Sequence, residues 1–289
     1  MKINKTVFTS IFLSAAALCA AGAAVPLEIR PEGVQKNLRL VWHDEFDGTC
    51  VDTSKWDIPT RSRQGACLWI PANVSVTGGC AVISVRRTSE DDWTYRYQSA
   101  CLRTRADHDP ARTLYEFCGG YAEIRARLPR IRRSNYWAAF WLMSGDVLSG
   151  TANSRAGSEI DIMESYGRAW PEPFINHALH WGGYAKNHNM ANFRTPFPAE
   201  SDDGEFHTWG LYWDSERYVF YFDGKPTAET DASGLGRPGR PLSGGTAQRP
   251  AYIKISCEAA PWAVPENRWL SPLPSEPDSF AVDYVRIYQ

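Results

Sequence analysis

The chain has 289 residues, 43% hydrophobic and 22% charged, and its 31 Lys and Arg against 33 Asp and Glu leave a net charge of −2. That balance, with no basic block, excludes the electrostatic footprint of a nucleic-acid binder. Beyond the first two dozen residues no apolar run is long enough to span a bilayer, which excludes a membrane span there.

Lys2 and Lys5 precede an apolar run from Val7 to Ala21, and small residues follow before Val25 and Pro26. This pattern predicts a secretory signal peptide over residues 1–24, cleaved after Ala23 or Ala24. A lipid anchor on Cys19 ranks below it, because the bulky Leu18 stands where such sites carry a small residue. Residues 25–289 are then exported to the periplasm, the cell surface or beyond. With neither an internal repeat nor a linker-like tract, they read as one domain and a monomer.

Six cysteines follow the signal: Cys50, Cys67, Cys80, Cys101, Cys118 and Cys257. An even number in an exported chain predicts disulfides, and six cysteines allow 15 pairings. One pairing has local support. Residues 98–105 and 116–128 read as strands flanking a turn over 107–112, which would set Cys101 opposite Cys118. No Cys-x-x-Cys pair or matching His spacing points to zinc.

From Leu38 onward short alternating runs are broken by Gly, Pro, Asn and Asp. Strands are predicted over 81–86, 120–128, 136–143, 178–184, 208–213, 218–222, 252–257 and 280–288, with no amphipathic helix beyond one turn. Asp223-Gly224 marks a tight hairpin, since both residues tolerate positive φ. The class is all-β: a two-sheet antiparallel sandwich with jelly-roll topology. Long connections over 61–69, 144–156, 188–203 and 231–248 are expected to wall a cleft open at both ends. Trp69, on the first of them, is an expected outer platform for a sugar ring.

Residues 157–167 read Gly-Ser-Glu-Ile-Asp-Ile-Met-Glu-Ser-Tyr-Gly. Alternation puts Glu159 and Asp161 on one strand face and Ile160 and Ile162 on the other. Glu164 is out of phase. One extra residue, a β-bulge near Ile162 and Met163, would return it to the acidic face, and bulges collect beside active sites. Three clustered acids repel, so one should keep a proton near neutral pH while another stays ionised. A retaining glycosidase needs such a pair: a carboxylate that attacks and an acid that protonates the departing oxygen.

Nearby residues follow by parity. Trp137 and Trp141, four apart, share a face, and their strand should lie beside the acidic one. His180 and Trp181 alternate, so only one can line the cleft directly, and His180 is placed to hydrogen-bond Asp161 or Glu164. Many of the 12 Trp are core, but aromatic faces also suit sugar rings.

Residues 159–164 resemble the bulged E-x-D-x-x-E signature of the family 16 glycoside hydrolases, the laminarinases, agarases, carrageenases and endo-β-galactosidases. Residues 42–48 (Trp-His-Asp-Glu-Phe-Asp-Gly), 136–143, 205–209 and 283–288 match further segments in the family's order. The resemblance implies a concanavalin-like jelly roll with a concave cleft and an endo-acting retaining β-glycanase whose partner is a polysaccharide or glycan chain. It makes Glu159 the nucleophile, Glu164 the acid/base and Asp161 the residue that orients the nucleophile. Trp137 and Trp141 become the floor, with His180, Trp181, Glu258 and Trp262 as further sugar contacts. It requires no cofactor for catalysis, and it implies a structural calcium at Glu45 and Asp283. Laminarinase-like members carry an Asn and a Gly-Gly pair near 258, whereas Glu258 is more like the galactan-cleaving members. The expected substrate is therefore a galactose-containing chain, agarose-like galactan or the poly-N-acetyllactosamine of mucin glycans, with β-1,3(4)-glucan as the alternative. A lectin-like binding module is the alternative of another class, and it would need neither Glu159 nor Glu164 at that offset.

Overall fold

A computed structural model describes residues 24–63, 67–88, 97–106, 109–129, 136–147, 157–165, 174–184, 186–197, 204–231, 246–259 and 277–289. The expected signal peptide, except Ala24, and Trp262 lie outside them, as does most of 144–156 and 231–248. No described helix is long and apolar enough to cross a membrane.

The first strands are β1 (Glu28–Ile29), β2 (Leu38–Asp44), β3 (Arg61–Arg63), β4 (Cys67–Trp69), β5 (Val74–Thr77), β6 (Cys80–Arg87) and β7 (Tyr97–Ser99). Next come β8 (Cys101–Arg103), β9 (Arg105–Ala106), β10 (Asp109–Thr113), β11 (Gly120–Arg127), β12 (Tyr136–Ser144), β13 (Glu159–Ser165) and β14 (Phe174–Trp181). The chain ends with β15 (Asn189–Pro196), β16 (His207–Trp213), β17 (Tyr218–Phe222), β18 (Lys225–Thr230), β19 (Ala251–Ala259) and β20 (Asp278–Tyr288).

Two sheets carry the fold. The smaller runs β15-β14-β13-β12-β19-β8; the larger runs β18-β17-β16-β11-β20-β6-β7-β4-β3, with β2 beside β20 and β5 beside β6. Their inner faces meet in one core, where Phe140, Leu142, Ile160, Ile162, Ile253 and Ile255 face Ile124, Trp209, Leu211, Phe220, Val285 and Ile287. Each such side chain taken from water stabilises the sandwich by about 1.5 to 3 kcal/mol. The all-β jelly-roll class holds. So does the Asp223-Gly224 hairpin, with φ of 45° and 74° joining β17 to β18.

Three expectations change. Residues 188–203 contain β15, an outer strand of the smaller sheet, and residues 61–69 contain β3 and β4, so neither stretch is simply a loop. The hairpin around 107–112 is only β9 and β10. Cys101 does not meet Cys118: β8 pairs with β19, setting Cys101 opposite Ser256, while the strand after Cys118 joins the larger sheet. Neither Cys101 nor Cys118 is in a disulfide, and nor are Cys50, Cys67 and Cys257.

Candidate active site

The register of the smaller sheet decides which side chains share its concave face. Residues opposite one another across antiparallel strands point the same way. One row is Met190, His180, Glu159 and Met143; the next is Asn192, Ala178, Asp161, Trp141 and Lys254; a third sets Asn176, Glu164, Ala139 and Ser256 side by side. Glu258 stands opposite Trp137.

Between the second and third rows β13 carries its bulge. Against β12, Asp161 pairs with Trp141 and Met163 with Phe140, leaving Ile162 without an opposite number. Against β14, Asp161 pairs with Ala178 and Glu164 with Asn176, so Ile162 and Met163 together oppose His177. Both residues of the bulge turn into the core, where each is fully buried. Glu164 thereby regains the face of Glu159 and Asp161, and all three carboxylates line one cavity of about 380 Å3.

Each acid has its own surroundings. Asp161, 5% exposed, is pushed well above the usual carboxylate range, first by burial and then by the charge of Glu159, with Lys254 opposing. Its Oδ2 lies 3.3 Å from His180 Nε2, which selects Asp161 over Glu164 as the partner of that imidazole. His180 Nδ1 meets His188 Nε2 at 3.0 Å. The two contacts are linked: in a neutral His180 ring whose Nε2 carries the proton and donates to Asp161, Nδ1 accepts from His188. Glu164 accepts from Trp137 Nε1–H at 3.1 Å and from Asn176 Nδ2 at 2.8 Å, one donor on each oxygen. Glu159 accepts the hydroxyl of Tyr184 at 2.5 Å.

Trp137 and Trp141 both line the cavity. Trp141 is clamped, its indole N–H donating to Ser256 Oγ at 3.1 Å and the Lys254 ammonium lying 4.1 Å from the ring centroid. Glu258 also lines the cavity and accepts Arg63 through both oxygens at 3.1 Å each. Burial raises the Glu258 carboxyl, and Arg63 counters it.

Two expected sugar contacts lie elsewhere. Trp69 is fully buried, donates its indole N–H to the Cys257 carbonyl at 3.2 Å and carries the Arg63 guanidinium 4.4 Å above its ring. It is a support for a cleft residue, not an outer platform. Trp181 faces the core next to His180 on the cleft side, as parity requires of neighbours.

The calcium expectation meets a different chemistry. Glu45 accepts Arg286 through both oxygens at 3.0 and 2.7 Å and faces His43 at 3.1 Å, while Asp283 accepts from Arg125. With a guanidinium on each, the two carboxylates do not fit a shared oxygen cage for calcium. In the cleft, one donor atom each from Glu159, Asp161 and His180 falls within 4.8 Å of the others. That set is close enough to hold a divalent ion, and it contains the atoms that acid–base chemistry on a sugar would use.

Sequence reasoning missed Tyr184, Arg63, Lys254 and Asn176. Asn176 and Lys254 each left a trace, an even offset on the same strand from His180 and Glu258 respectively. Tyr184 lies just beyond the end of β14, and Arg63 meets Glu258 from 195 residues away.

The comparisons agree with this geometry. A family profile described as "Beta-porphyranase A-D, GH16 domain" matches residues 41–289. Glucan endo-1,3-beta-glucosidase A1 of Niallia circulans is 28% identical over 208 residues, covering 65% of this chain but only 29% of that protein. A beta-glucanase of Rhodothermus marinus is 27% identical over 265 residues, 86% of this chain and 85% of its own length. Among solved structures, an endo-beta-1,3-glucanase from Pyrococcus furiosus superposes with a TM-score of 0.67 at 25% identity, over 92% of this chain and 98% of that one. With the profile spanning most of its length and the bulged acidic strand in place, the chain belongs to the GH16 family of glycoside hydrolases.

Proposed function

We propose that the protein is an exported, endo-acting, retaining β-glycanase that cuts a galactose-containing chain. One observation carries the reading: a single bulge in β13 brings Glu159, Asp161 and Glu164 to one cavity. Glu159 attacks the anomeric carbon, Glu164 protonates the departing oxygen and then deprotonates water, and Asp161 holds the charge of the nucleophile in place. Trp137 couples sugar platform and acid, because the same indole that faces the cleft donates to Glu164.

Galactose is supported by Glu258, which presents a rigid, arginine-held carboxylate to sugar hydroxyls, and by the porphyranase profile. A β-1,3(4)-glucan is the second reading, favoured by the glucanases among the relatives. Incubation with agarose, porcine gastric mucin, laminarin and lichenan, followed by sizing of the products, tests both. Oligomers of several lengths from agarose or mucin are expected. Cleavage of laminarin or lichenan alone transfers the assignment to glucan, and a single small sugar contradicts internal cleavage. Glu159→Gln separates enzyme from lectin: it should abolish product release and spare binding, and undiminished hydrolysis ends the mechanism.

A further inference from the structure

Tyr184 follows two glycines in the left-handed region, Gly182 at φ 78° and Gly183 at φ 68°. At Gly182 the need for glycine is doubled, since a Cβ there would sit 2.5 Å from the Asn187 carbonyl oxygen. The turn is tied down beyond its own backbone. Gly183 N–H donates to the Gly157 carbonyl at 3.0 Å, and Tyr184 N–H to the Val147 carbonyl at 2.9 Å. Gly157 lies two residues before β13, so the backbone of Tyr184 is fixed to the segment that leads into the acidic strand.

From that anchor the ring reaches into the cleft. It lies 4.9 Å from the ring of His188 and 5.9 Å from that of His180, and its hydroxyl donates to Glu159 Oε1. Burial and the charges of Glu159 and Asp161 push the phenol upward, so it stays a donor. The residue as a whole is 45% exposed.

A fixed donor on the nucleophile acts unequally on the two halves of a double displacement. In the first half a Glu159 oxygen bonds to the anomeric carbon, the bond to the departing sugar oxygen breaks, and Glu164 supplies that oxygen with a proton. A hydrogen bond to Glu159 disperses the charge that attacks and slows this half slightly. In the second half water bonds to the anomeric carbon, Glu164 takes its proton, and the bond to Glu159 breaks with the electron pair returning to the carboxylate. Negative charge then develops on Glu159, where a donor already aimed at it stabilises the transition state.

Resting on the reading of Glu159 as nucleophile, we propose that Tyr184 is a positioning residue that shortens the life of the covalent sugar–enzyme intermediate by stabilising the departing Glu159 carboxylate.

Tyr184→Phe removes the hydroxyl and keeps the ring packing. It should be compared with the wild type on whichever of agarose, mucin, laminarin and lichenan the wild type cuts, with acid quenching and intact-mass analysis during turnover. The variant should accumulate enzyme bearing a covalent sugar, with kcat about tenfold lower and kcat/KM within about threefold of wild type. Wild-type kinetics, or equal losses in kcat and kcat/KM without accumulation, overturn the role of Tyr184 while leaving the glycanase reading intact. A sugar adduct persisting in Tyr184→Phe combined with Glu159→Gln places the adduct elsewhere and overturns the nucleophile itself. A wild type that cuts none of the four polymers removes both together.

Discussion

His177 donates its Nδ1–H to the Ile162 carbonyl at 2.6 Å, directly at the bulge that gives the acidic strand its extra residue. A carbonyl can only accept, so the proton is on Nδ1, and Nε2 accepts from the Thr195 hydroxyl at 2.8 Å. The ring stacks on Phe220 of the opposite sheet at 4.6 Å. A bulge leaves ladder groups without their usual partners, and here a buried neutral imidazole supplies one.

That imidazole predicts an acid-side loss of stability. Burial lowers His177 to about 4, against about 6.5 in the unfolded chain. Between those values the unfolded chain takes up a proton that the folded chain refuses, so the His177 contribution falls as pH falls. The loss should approach about 2 kcal/mol by pH 5 and about 3 kcal/mol below pH 4. Urea unfolding of wild type and His177→Asn at pH 7 and pH 5 checks this: the amide can replace the donor but cannot titrate, so the variant should lose less on acidification. Equal losses would assign the pH dependence to other groups.

The bulge itself was legible because it leaves a local mark. Glu164 is out of phase with Glu159 and Asp161, and only an inserted residue restores the alternation. Parity also placed Trp137 with Trp141 and separated His180 from Trp181, since both follow from spacing within one strand. What spacing cannot give is which strand lies alongside. Trp69 was expected in the cleft because it sits on a polar stretch, yet β4 pairs with β7 and β3, and its indole is buried against the Cys257 carbonyl. Cys101 and Cys118 were expected to meet across a hairpin, but each strand found its partner far along the chain. Arg63 is 195 residues from Glu258, and no local signal joins them.

Trp69 and Trp137 should therefore respond differently to substitution. Trp69→Ala removes a fully buried side chain and should cost about 3 to 5 kcal/mol of stability, with KM in the folded fraction changing only as far as Arg63 and Glu258 shift when their support is lost. Trp137→Ala should cost less stability, raise KM, and lower kcat as well, because Glu164 loses the indole donor. Thermal melts with steady-state kinetics separate the two. A raised KM with an unchanged melt for Trp69→Ala would return that residue to the binding surface.

Arg63 and Glu258 form a pair whose halves are unequal to remove. Glu258 is almost wholly buried, so Arg63→Ala leaves a carboxylate with its main counter-charge gone. Breaking a buried pair in this way costs about 3 to 5 kcal/mol. The combined change Arg63→Met with Glu258→Leu should cost much less, because no charge is stranded. If sugar hydroxyls bind here, the double variant should still lose affinity for substrate. Chemical denaturation of the single and double variants and KM for the double variant supply the measurements, and a double variant with wild-type KM removes Glu258 from substrate contact.

The roles proposed for Glu164 and Glu159 are distinguished most directly by the side of the sugar each would serve. Glu164→Ala should lower kcat about 10²- to 10⁴-fold on the polymer, the usual contribution of a general acid or base. Added azide enters the space left by the carboxylate and attacks the sugar–enzyme bond from the face that water normally uses, so the recovered product should be a β-glycosyl azide. In Glu159→Ala the same anion replaces the nucleophile on the opposite face, and any recovered product should be the α-azide. The anomeric proton coupling of the isolated azide decides between them. A β-azide from Glu159→Ala, or an α-azide from Glu164→Ala, would exchange the two roles, since both acids line the same cavity and only their approach to the anomeric carbon sets them apart.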